Sequence, residues 1–138
     1  ANQSASTVSA YRIDQTSGLL TGGGTIAAAT PPGIAADPSG KFVFVPTGSG
    51  NTIAMYTINQ ITGSLTANGT IGAASNPQVV ATDPLGKFAY ATTFGSNTVS
   101  LYLINQTTGA LTANGTVASG AGPTGIAVEP TGSVAEST

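Results

Sequence analysis

The sequence predicts an all-β chain made of repeated four-stranded antiparallel units. Three observations predict it. A unit of about 46 residues recurs three times and fills all 138 positions. Short runs rich in β-branched and aromatic residues lie between glycine, asparagine and proline. Long helical periodicity appears nowhere, since the Ala27-Ala28-Ala29 run is short and is followed by Pro31-Pro32.

The repeat is plain in its residues. Asn51-Thr52-Ile53-Ala54-Met55-Tyr56 returns as Asn97-Thr98-Val99-Ser100-Leu101-Tyr102, with a weaker copy in Ser6-Thr7-Val8-Ser9-Ala10-Tyr11. Alternating side chains in these runs predict a strand starting at each threonine. Next come Gly18-Leu19, Gly63-Ser64-Leu65 and Gly109-Ala110-Leu111, then Gly24-Thr25-Ile26, Gly69-Thr70-Ile71 and Gly115-Thr116-Val117, which read as a second strand. Thr62-Gly63, Asn68-Gly69 and Asn114-Gly115 supply the positive φ that tight turns need. A third strand leads into Asp37-Pro38-Ser39-Gly40, Asp83-Pro84-Leu85-Gly86 and Glu129-Pro130-Thr131-Gly132. Proline presets φ there, and the acidic side chain accepts a backbone N–H. A fourth strand follows at Lys41 and Lys87. Four-stranded units at this period are propeller blades, with a β-solenoid as the alternative.

Composition excludes several functions. The chain is only 6% charged, with a net charge of −2 and no cysteine or histidine. Three cations cannot neutralise a row of phosphates, so nucleic acid is not an expected partner. Disulfides, thiol nucleophiles and histidine bases are absent from the sequence. No apolar run reaches the length of a membrane-spanning helix.

The series Pro-x-x-Ile-Ala-x-Asp-Pro-x-Gly-Lys-Phe, Asn-Thr-Ile/Val-x-x-Tyr-x-Ile and Thr-Gly-x-Leu resembles the YVTN-type repeat of lactonase-like, 6-phosphogluconolactonase-like seven-bladed β-propellers. The resemblance covers nearly the whole chain. It implies that the strands at Pro31–Asp37, Pro77–Asp83 and Pro123–Glu129 are innermost, with Lys41–Thr47 and Lys87–Thr93 second. The strands from Thr7, Thr52 and Thr98 are then third, and those near 19–26, 65–71 and 111–117 outermost. It implies function weakly, because one fold hosts many roles.

One domain is expected over 1–138, with repeat units at about 1–40, 41–86 and 87–132. Residues 133–138 form a partial strand that pairs with a neighbouring N-terminus. The chain begins at the end of a second strand and stops inside one, so its ends are complementary half-blades. Chains are expected to complete each other, as a dimer with six blades or as an open fibre; a piece of a longer propeller is the alternative.

Few side chains qualify as a site. Asp37, Asp83 and Glu129 share one repeat position and read as structural turn residues; the competing reading is a carboxylate ring around a cation. Arg12 and Asp14 depart from their equivalents Thr57/Asn59 and Leu103/Asn105. They are the candidate ligand contacts, against a surface ion pair. Glu136 stands at the repeat place of Phe44 and Tyr90, as a lone acid or a charge guarding a strand edge. Tyr11, Tyr56 and Tyr102 are expected to pack between neighbouring sheets; an aromatic surface for neutral carbohydrate is the alternative. No catalytic, cofactor or metal-binding residue is identified, and no cofactor is expected. Low lysine with abundant Thr, Asn and Gly suggests an exported protein, extracellular or periplasmic. Asn2, Asn68, Asn105 and Asn114 open N-x-Ser/Thr sequons.

Overall fold

The computed structural model describes residues 1–131 and 133–138. Gly132, which completes the glycine series of Gly40 and Gly86, lies outside the described residues. The strands are β1 (Thr7–Ile13), β2 (Leu20–Ala27), β3 (Ala35–Ala36), β4 (Phe42–Thr47), β5 (Thr52–Ile58) and β6 (Leu65–Gly72). They continue as β7 (Pro77–Thr82), β8 (Phe88–Thr93), β9 (Thr98–Ile104), β10 (Leu111–Ala118), β11 (Gly125–Val128) and β12 (Val134–Ser137). No helix occurs among the described residues.

The strands form two complete blades and two half-blades. β3-β4-β5-β6 and β7-β8-β9-β10 are four-stranded antiparallel meanders. β1-β2 pair alone, as do β11-β12. By repeat position, β1 and β2 are a third and an outermost strand, while β11 and β12 are an innermost and a second. Each complete blade therefore starts at an innermost strand, so one sequence repeat feeds two sheets.

Alternation along each strand builds the core. On β4, Val43 and Val45 turn towards the β1-β2 half-blade and meet Val8, Ala28, Ala54 and Tyr56. Phe42 and Phe44 turn the other way and meet Val80, Ala89, Ala91 and Tyr102 of the next blade. Every residue of β4 is buried as a result. Complete burial of Phe44 contributes about 1.5–3 kcal/mol.

Positive φ recurs where the repeat needs it. Ser6, Asn51 and Asn97 hold equivalent left-handed positions at φ 51°, 51° and 53° before the third strand. Asparagine tolerates this region better than most residues. Gly24, Gly69 and Gly115 also have positive φ, at 103°, 95° and 111°. The last two correct the expectation of turns at Asn68-Gly69 and Asn114-Gly115. Both pairs lie inside outermost strands, β6 and β10, where the register slips against the third strand. The glycine serves a bulge that bends the outer edge, not a chain reversal.

The final hairpin departs from the repeat. In the blades, Asp37 N–H bonds Phe42 O and Asp83 N–H bonds Phe88 O, both at 3.0 Å. In the last copy Glu129 N–H bonds Ser133 O at 3.0 Å, one residue earlier. Glu136 consequently pairs with Ile126, the place that Ala91 takes opposite Val80. This corrects the placement of Glu136 with Phe44 and Tyr90, because a one-residue slip turns every side chain to the other face.

Candidate functional site

Asp37 and Asp83 are spent on their own turns. Asp37 accepts from the N–H groups of Ser39 (3.0 Å), Lys41 (3.0 Å) and Phe42 (2.7 Å). Asp83 accepts from Leu85 (3.1 Å), Lys87 (2.6 Å) and Phe88 (2.7 Å). Both are buried, and each carboxylate satisfies backbone donors that are at least partly withdrawn from water. Glu129 is exposed and accepts from the Thr131 hydroxyl and from Ser133 N–H at 3.1 Å. The Thr131 hydroxyl, and then the Ser133 amide, hold its carboxyl below the usual range. Among the described residues, no cluster of three or more acidic groups is placed to hold a metal ion.

Arg12 and Asp14 part company. Arg12 is on β1, but Asp14 lies one residue beyond the strand. Its Oδ1 accepts from Ser17 N–H at 2.8 Å and Thr16 N–H at 2.9 Å, and these bonds, Ser17 first, lower its pKa. Asn59 Oδ1 accepts from Ile61 and Thr62, both at 2.9 Å, and Asn105 Oδ1 from Thr107 and Thr108, both at 3.0 Å. The three residues make one repeated Asx turn. The letter change from Asn to Asp hid that equivalence. Arg12 lines a shallow groove of about 300 Å³ with Tyr11, Gln15, Asn59 and Gln60.

The tyrosines divide differently from the expectation. Tyr56 and Tyr102 are buried between sheets. The Tyr56 hydroxyl donates to Ala27 O of the preceding half-blade at 2.9 Å. The Tyr102 hydroxyl donates to Gly72 O of the preceding blade at 3.2 Å. Loss of water around each ring raises both phenol pKa values. Tyr11 is 57% exposed, which corrects the expectation that it packs between sheets. Its equivalents face the blade before them, and among the described residues no sheet packs on that face of β1-β2.

An apolar groove of about 310 Å³ lies at the other end, lined by Tyr90, Val99, Leu101, Val117, Ala118, Val134 and Glu136. It runs between the second complete blade and β11-β12. Sequence reasoning missed it. The signal was present, since Val117 repeats Ile26 and Ile71, each of which packs beside a buried tyrosine. Glu136, one of its lining residues, accepts from Gly120 N–H at 3.0 Å.

Successive antiparallel meanders, packed face to face with innermost strands in series, define a β-propeller segment. The family described as lactonase, 7-bladed β-propeller, matches residues 23–130, and the chain belongs to it. A candidate 6-phosphogluconolactonase of Bacteroides fragilis is similar in structure, with a TM-score of 0.79 at 23% identity over 86% of this chain and 35% of that one. A functionally unknown protein of Desulfotomaculum acetoxidans follows at 0.76 and 26%, over 93% of this chain and 38% of that one. The periplasmic gluconolactonase of Pseudomonas aeruginosa aligns at 0.76 and 14%, over 96% and 37%. The chain thus spans well under half the length of these proteins. No curated protein matches it.

Proposed function

We propose that the chain is a non-enzymatic, exported propeller segment that self-assembles through shared blades, in a scaffold or binding role. One observation carries this reading. β1-β2 supply the two outer strands of a blade and β11-β12 the two inner strands, so a pair of half-blades makes one whole blade. Left apart, each half-blade exposes a sheet edge, which is a template for another strand. Its partner is a second copy. The exported setting rests on composition alone.

Light scattering after size exclusion, over a concentration series, tests the reading. The expected mass is twice the 13.4 kDa of one chain for a six-bladed ring, or a broad distribution for a fibre. A folded monomer at every concentration overturns it.

A second reading, in keeping with the family's name, is that the chain is part of a lactonase-type hydrolase. Turnover of a sugar lactone by the purified chain, abolished by substitution of a carboxylate, would favour it. Saturable binding of neutral oligosaccharides without turnover would favour a carbohydrate-binding role.

A further inference from the structure

We propose that the apolar groove beside β12 is a socket for Tyr11 of a second copy, and that this plug anchors the joint between chains. The proposal rests on the shared-blade reading above and specifies where the shared blade is held.

The molecule already contains the arrangement twice. Tyr56 lies opposite Val43 on the neighbouring strand, within a cluster that includes Val8, Val45 and Ile26, and its hydroxyl reaches Ala27 O. Tyr102 lies opposite Ala89 and reaches Gly72 O. Advancing two repeats turns Val8, Ile26 and Ala27 into Val99, Val117 and Ala118. The observed register of β12 puts Val134 and Glu136 in the places of Val43 and Val45. All five line the groove. Among the described residues, no tyrosine stands between these walls at the place that Tyr56 and Tyr102 take in the earlier copies. Tyr11, at the matching place of the first repeat, is exposed with its face uncovered.

Laying β1 of one copy along β12 of another completes the ladder. Tyr11 then falls opposite Val134, and Ser9 opposite Glu136, as Tyr56 falls opposite Val43 and Ala54 opposite Val45. The Tyr11 hydroxyl is directed at Ala118 O. Val117, itself 55% exposed, is covered by the incoming ring. One rung is contested, because Asn2 already bridges Thr7 in the place that Thr138 would take. Docking therefore displaces Ala1 and Asn2 from that last rung. The chemistry matches strand addition at an open edge, with main-chain bonds for affinity and a side-chain pocket for register. A tyrosine in a desolvated pocket is a typical anchor of such interfaces.

The test compares association of the wild-type chain with Tyr11→Ala, Tyr11→Phe and Val117→Arg, by light scattering with circular dichroism as the control for folding. Tyr11→Ala and Val117→Arg act from opposite sides of the joint, and each should weaken association about thirtyfold or more. Tyr11→Phe should weaken it far less. The chain has no native cysteine, so Ser9→Cys combined with Glu136→Cys gives a clean second readout: a disulfide between chains. A monomeric wild type overturns the shared blade itself. A wild type that assembles, with Tyr11→Ala and Val117→Arg assembling equally well, overturns the socket while leaving the shared blade in place. Failure of Ser9→Cys/Glu136→Cys to cross-link between assembled chains also overturns the proposed joint.

Discussion

β4 and β12 occupy the same place in their repeats, yet β4 is buried at every residue and β12 is exposed at every residue. Sequence accounts for part of the contrast, since Phe42-Val43-Phe44-Val45 is more apolar than Val134-Ala135-Glu136-Ser137. Neighbours account for the rest. β4 has a strand on each edge and a sheet on each face, whereas β12 pairs with β11 alone. A second strand owes its burial to completion of its own blade and to the blades on both sides, not to its own pattern.

The largest effect should come from the two strands themselves. Phe44→Ala should cost about 3–5 kcal/mol in a urea or thermal melt, because it opens a cavity between two blades. Val134→Ala in the isolated chain should cost under about 0.5 kcal/mol. Equal losses would show that β12 is already buried in solution, and so would sharpen the case for a partner on that edge.

The turns that enter these strands give a smaller contrast. Asp83→Ala should cost about 1–3 kcal/mol, since three partly buried backbone N–H groups lose their acceptor. Glu129→Ala, on an exposed turn, should shift the midpoint too little to resolve. A large loss at Glu129 would mean that the last hairpin is built as firmly as the others.

The smallest effect is expected at Asp14→Asn, which installs the residue already present at positions 59 and 105. Near neutral pH the melt should be unchanged. The hydrogen bonds that lower the Asp14 pKa favour folding above its ordinary value of 3.8, and that contribution is lost as pH falls through the lowered folded value. The asparagine variant should lack this limb of the acid titration. An unchanged limb would assign it to other carboxylates.

The repeat itself made most of the architecture legible before any coordinates. Strand places and the two split ends follow from residues that recur at one spacing, and the resemblance to the lactonase-like repeat adds the rank of each strand within a blade. The site was harder to read for three physical reasons. Tyr11 carries the same letter as Tyr56, but burial depends on a neighbouring blade that a single repeat does not encode. Asp14 looked exceptional because an Asx turn accepts either Asp or Asn, so its chemistry repeats while its letter changes. The slip of β12 arises in a turn closed one residue early, and uniform spacing assigns Glu136 to the wrong face. Turn chemistry and open edges were the parts that periodicity could not supply.

The two unlike ends have a consequence in the language of polymers. Under the proposed joint, with a plug at one end and a socket at the other, the molecule would be an AB monomer whose products depend on concentration. Joining two chains is bimolecular, whereas closing a pair on itself is governed by a fixed effective concentration. Dilution therefore favours the ring and crowding favours the growing chain. The family is built on sevenfold blades, so a ring of six must turn slightly more at each joint. Under the proposed joint, that strain would lower the effective concentration for closure and shift the balance towards the growing chain.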